Sequence, residues 1–163
     1  MDDTRRGAYR GPRCHPAHRP LLRIGNRPVI LHVTAVTVDN RAILASSNVH
    51  GALRAAWHEA HQWTVRTYVI MPEHLQLFCA PAVHDHCDVR QWAGYWKRLA
   101  GDRLPLLRSA WIKDVWDTQM RSCDHYLRKL HYVRDNPVRR GLAKRWQEWP
   151  KQGCLTNLDW ISD

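Results

Sequence analysis

Val69-Ile-Met-Pro-Glu-His-Leu-Gln-Leu77 is the stretch on which the fold of this 163-residue chain turns. An apolar run enters it, a proline breaks it, and polar and apolar residues alternate as it leaves. Residues 65–79 therefore read as strand. Pro72 requires an edge position, a bulge or a break between two strands, because proline cannot donate to a sheet ladder. Alternation sends His74 and Gln76 to one face and Leu75 and Leu77 to the other.

Downstream, residues 122–135 read as a helix with Asp124 in its first turn and Pro137 as its stop. Tyr132 and Asn136, four apart, share a face of it. An imidazole, two amide oxygens and a phenol can then meet. His74, Gln76 and Asn136 would hold a divalent cation and Tyr132 would be a nucleophile, an arrangement suited to cutting a phosphodiester. Plainer roles compete: Tyr132 as a packing aromatic, His74 as an exposed strand histidine, Asn136 as a cap before Pro137. Glu73 would support the site from behind or stay solvated. Tyr126 lies about 240° around the helix from Tyr132 and should not share the site.

The remaining elements follow from periodicity. Residues 29–38 are rich in Val, Ile and Thr and read as a buried strand. Residues 48–62 place Val49, Leu53, Ala56, Trp57 and Ala60 at helical spacing, with Ser47 or Asn48 as cap. A loop over 80–87 leads to a second amphipathic helix over 88–99, and 110–120 reads as a short strand pair. This order gives an α+β fold, a two-layer sandwich. Its antiparallel sheet carries helices on one face and leaves the other for nucleic acid.

Net charge is +10 and unevenly spread. Residues 1–28 carry seven Arg against two Asp, residues 29–86 three Arg against four acids, and residues 87–163 fifteen basic against nine acidic residues. A near-neutral centre between basic flanks points to a polyanion gripped from both ends. Residues 1–27 read as a basic, flexible arm, 28–150 as the functional domain and 151–163 as a tail. Cys14, His15 and His18 lack a fourth zinc partner. The five cysteines show no paired framework, and no apolar run reaches membrane-span length, so a cytoplasmic protein with free thiols and no membrane is expected. Of nine tryptophans, Trp57, Trp63, Trp92, Trp96 and Trp111 read as core. Trp146, Trp149 and Trp160 are the better base-stacking candidates, although core packing is favoured even for them.

Leu31-His-Val-Thr34 with Asn40-Arg-Ala-Ile-Leu44, residues 69–77, Trp116-Asp117, residues 132–138 and Gly141-Leu142 together resemble the single-tyrosine HUH transposases, in particular the REP-associated tyrosine transposases. The resemblance runs from about residue 28 to 150. It implies a ferredoxin-like or RRM-like architecture and a Mg²⁺- or Mn²⁺-dependent enzyme that nicks and transfers single-stranded or hairpin DNA through a 5′-phosphotyrosine on Tyr132. Gln76 stands where the family pattern has a second histidine, and an amide oxygen is the weaker ligand for softer metals. Arg128 shares the face of Tyr132 and would reach a phosphate, with Lys129, Arg134, Arg139, Arg140, Lys144 and Arg145 as a basic flank along the DNA backbone. Two alternatives stay open: a hairpin-binding protein with weakened or lost cleavage, and an RNA-binding module on the same sheet. A homodimer is also left open.

Overall fold

The structure, a computed structural model, describes residues 18–23 and 25–156. Most of the basic arm, the Cys14-His15 pair and Trp160 lie outside those residues. The chain forms β1 (Leu31–Val36), α1 (Ser47–Glu59), β2 (Trp63–Ile70), β3 (His74–Pro81), α2 (Val89–Arg103), β4 (Trp116–Gln119), α3 (Cys123–Arg134), α4 (Asn136–Arg139) and β5 (Gln152–Cys154). The strands make one antiparallel sheet in the order β4-β1-β3-β2-β5. Its first four strands and two long helices follow the βαββαβ path of a ferredoxin-like α+β fold, as the sequence predicts.

Pro72 takes the third of its options: it breaks one strand into two. Residues 72 and 73 form the hairpin turn between β2 and β3, with Met71 N donating to His74 O at 2.8 Å. The turn is held from outside. Thr37 donates to Glu73 O through both its amide and its hydroxyl at 2.9 Å, and Leu44 N donates to Pro72 O at 2.8 Å. The first residues of β3 are thereby fixed by backbone bonds rather than by their own side chains.

Helix ends follow local chemistry with small shifts. Ser46, rather than Ser47 or Asn48, caps α1 by accepting from Val49 N. Asp88 and Gln91 form a reciprocal capping box that starts α2, which continues to Arg103 instead of ending at residue 99. Ser122 caps α3. Pro137 does not stop the helical path: it occupies the first turn of α4, where its missing N–H costs nothing. The strand pair expected over 110–120 is a single strand, β4, plus one isolated bridge from Thr37 to Trp111, because β4 takes β1 as its partner.

The sequence expectation of helices on one face only is corrected. One core of buried residues joins α1 and α2 to Leu31, Val33, Ala35, Leu75 and Leu77, and contains Trp57, Trp63, Trp92 and Trp96. A second, separate core places α3 on the opposite face: Tyr126, Leu130 and Val133 pack on Ile30, Val69, Met71 and Phe78. Trp149 belongs to this second core and donates to Ile70 O at 2.9 Å. Beyond α3, β5 pairs with β2 at the sheet edge. Gly153 is required there, since a Cβ would lie 2.7 Å from the Tyr68 hydroxyl. At the other edge the chain lies along β4: His18 bonds to Asp114 (2.9 Å) and Asp117, and Leu22 exchanges two hydrogen bonds with the Gln119 amide. No helix among the described residues is long and apolar enough to cross a membrane.

Candidate active site

The face of the sheet that carries α3 has a polar strip next to its apolar patch. Alternation in β1 and β3 sends His32, Thr34, His74 and Gln76 to that face, with Thr34 directly opposite Gln76 in register. All four are buried. The strip is bordered by α3 and closed by α4, whose first residue, Asn136, is buried against it.

His74 is the hub. Its Nδ1 bonds to Glu73 Oε1 at 3.0 Å, and its Nε2 faces Asn136 Nδ2 at 3.1 Å and Gln76 Nε2 at 3.3 Å. Burial pulls the His74 pKa down, more strongly than the adjacent Glu73 raises it, so the ring is neutral. A neutral ring that gives its Nδ1 proton to a carboxylate keeps the lone pair on Nε2, turned toward the two amides.

Glu73 is itself pinned. Arg140 Nη1 donates to Oε1 at 2.6 Å and Nη2 reaches Oε2 at 3.4 Å. Burial raises the Glu73 pKa, but the hydrogen bonds from His74 and Arg140 outweigh it and hold the carboxyl down at about 2. The strip thus has a carboxylate behind it that orients His74 and no free negative charge of its own.

One residue at this site, His32, was not singled out from the sequence. His32 bonds through Nε2 to Gln76 Oε1 at 3.0 Å, and its ring lies 5.3 Å from that of Phe78. Burial, reinforced by the charge of Lys129, lowers its pKa to about 3. Arg140, expected along the DNA backbone, is instead the partner of Glu73. The signal for His32 was in the chain: alternation within Leu31-His-Val-Thr34 places it on the face of Thr34.

Tyr132 is 55% exposed, whereas Tyr126 is buried in the α3 core with its ring 5.2 Å from Phe78. Two cations flank the Tyr132 ring, Arg139 at 4.0 Å and Lys129 at 5.3 Å from its centre. Arg134 lies 4.8 Å over Trp146. Arg128 pairs with Asp124 at 2.6 Å and Arg145 with Glu148 at 2.8 Å, both arginines well exposed, and Lys144 is exposed. An exposed phenol, a neutral imidazole with an inward lone pair, two amides and a cationic rim make an arrangement able to receive a phosphodiester.

No family model and no curated protein matches the chain. Among solved structures, one of a REP-associated tyrosine transposase bound to a REP hairpin superposes with a TM-score of 0.71, at 19% identity over 85% of this chain and 81% of that one. The fold is that of a REP-associated tyrosine transposase. A protein of Deinococcus radiodurans R1 named as a transposase superposes with a TM-score of 0.47, at 13% identity over 74% of this chain and 97% of its own.

Proposed function

We propose that this chain nicks and rejoins single-stranded DNA at hairpins, with Tyr132 forming a 5′-phosphotyrosine and releasing a 3′-hydroxyl. One observation supports this most: the 3.1 Å contact between Asn136 and His74, 62 residues apart in sequence. It joins the end of the Tyr132 helix to the β3 histidine, the two features that a tyrosine nuclease needs side by side. The hairpin in the related transposase's structure supports the choice of DNA form.

The donor set suits a hard divalent cation. Neighbouring oxygens on six-coordinate Mg²⁺ lie about 3 Å apart. The spacings from His74 Nε2 to the Gln76 and Asn136 amides, 3.3 and 3.1 Å, are of that size. Rotating either amide by a half turn would present its oxygen in place of its nitrogen. Mg²⁺ or Mn²⁺ held by His74, Gln76 and Asn136 would polarise the non-bridging phosphate oxygens. The chain's own residues do the rest: Glu73 and Arg140 hold the His74 ring in place, α3 carries the phenol, and the ester formed on Tyr132 keeps the energy needed to reseal the strand.

The test is incubation of the protein and Mn²⁺ with a library of end-labelled single-stranded hairpins, followed by a denaturing gel. A covalent protein–DNA band is expected. The absence of any band across metals and hairpins would remove the nicking reading and favour a hairpin-binding protein that does not cut. That second reading draws on Gln76, whose amide oxygen is engaged by His32.

Two further results are expected. Imidazole outranks an amide for Mn²⁺, so Gln76→His should lower the Mn²⁺ concentration needed for half-maximal adduct formation and leave the rate at saturating Mg²⁺ little changed. A variant slower than wild type at every metal concentration would show that the amide is a tuned ligand. DNA binding should also weaken steeply with salt, each single-strand phosphate contact adding about −0.7 to the log–log slope. Removing residues 1–17 takes away Arg5, Arg6, Arg10 and Arg13 but leaves the docked His18 and Leu22 in place. The slope should flatten, and an unchanged slope would mean those arginines do not touch DNA.

A further inference from the structure

Lys129 lies three residues before Tyr132 on α3, and its ammonium is 5.3 Å from the centre of the Tyr132 ring. Among the described residues, Arg134 shares its partial burial without a carboxylate partner but is stacked over Trp146; the remaining cations of the flank differ from it. Arg128 and Arg145 are paired with carboxylates, Arg140 is spent on Glu73, and Arg139 and Lys144 are exposed. Lys129 is half-buried, and no carboxylate pairs with it among the described residues. Its charge is also the one acting most strongly on buried His32, so it bears on the polar strip as well as on the phenol. Burial without a counter-ion lowers its pKa.

A partly desolvated cation without an anion is costly, and the cost is relieved when an anion arrives. Nothing in the strip competes for it: His74 and His32 are neutral, Gln76 and Asn136 are amides, and Glu73 is tied to His74 and Arg140. We propose that Lys129 adds a positive charge at the reacting centre, binding a non-bridging oxygen of the scissile phosphate beside Tyr132. This rests on the nicking reading and deepens it. The Tyr132 oxygen forms its bond to phosphorus as the bond from phosphorus to the 3′-oxygen breaks. The phenol proton leaves to water, and the departing 3′-oxygen takes one back. Negative charge on the phosphoryl oxygens rises between those events, and the Lys129 ammonium stabilises it there.

A residue that only grips the DNA backbone would change binding and rate together; Lys129 should separate them. Lys129→Met should slow single-turnover adduct formation about 100-fold, the scale of losing one preorganised donor to a developing oxyanion. Hairpin affinity, measured in the Tyr132→Phe background by fluorescence anisotropy, should change far less. Lys129→Arg should recover most of the rate. A Lys129→Met rate close to wild type, a loss of affinity matching the loss of rate, or no recovery with Arg would each overturn the proposal. An arm independent of cleavage uses inorganic phosphate titrated into protein with ¹³C-labelled tyrosine rings. Saturable shifts of the Tyr132 ring are expected in wild type and not in Lys129→Met. If these appear while wild type makes no adduct, the nicking reading falls and the anion site at Lys129 stands. Shifts that are absent in wild type, or equal in the two proteins, would remove the anion site itself.

Discussion

Tyr132→Phe should abolish the covalent protein–DNA adduct while leaving hairpin affinity nearly intact. The substitution removes one oxygen from a side chain that is 55% exposed, so no buried partner is orphaned and little packing changes. The ring stays between Arg139 and Lys129, at 4.0 and 5.3 Å, and those contacts depend on the aromatic face rather than on the hydroxyl. Loss of an activated nucleophile costs at least about 10⁴-fold where the rest of a site is intact. The measurement is a denaturing gel with labelled hairpin and Mn²⁺, paired with anisotropy on the same DNA. A band that persists in the Phe variant would transfer the nucleophile's role elsewhere. Tyr126, buried against Phe78, is placed to pack rather than to attack.

Acidification should destabilise the fold well above the pH at which carboxylates titrate, and His32 should account for a large part of the loss. Its pKa is about 3 in the folded chain against an ordinary 6.5. Below pH 6.5 the unfolded chain takes up a proton that the folded chain refuses, so stability falls as pH drops toward 3, by about 1.4 kcal/mol per pH unit. Glu73 acts in a lower window. Its depressed pKa gives stability that is present above 4.5 and lost as pH falls toward about 2. Urea unfolding of wild type and His32→Asn at pH 6.5 and 4.5 separates the two. The variant should be the less stable at pH 6.5, because the Gln76 oxygen loses its bond, and the gap should narrow by roughly 2–3 kcal/mol at pH 4.5. A gap of constant size would mean His32 accepts a proton while folded.

The sheet and the faces on which the candidate site residues lie were legible in the sequence, because those rest on local periodicity. Alternation after Pro72 assigned His74 and Gln76 to one face, and four-residue spacing assigned Tyr132 and Asn136 to one side of a helix end. Three features were out of reach for tertiary reasons. A helix's apolar stripe, such as Tyr126, Leu130 and Val133, shows that it packs but not on which face of a sheet, so α3 was placed on the wrong side. Arg140 reads as one more arginine in a basic run until Glu73, 67 residues away, is brought beneath it. The three residues of β5 are too few to show a period, and only their pairing with β2 marks them as strand.

The division of the interior into two cores has a further consequence. Among the described residues, twenty-six make up the buried core that joins α1 and α2 to one face of the sheet, and eight the core that joins α3 to the other. Local opening free energies follow the apolar contact an element makes, so α3 should release more readily than α1 and α2. Releasing it would carry Tyr132 away from the polar strip while the larger core stays closed. Under the proposed function the candidate nucleophile Tyr132 rides on the more detachable helix, and warming should silence nicking before the larger core melts.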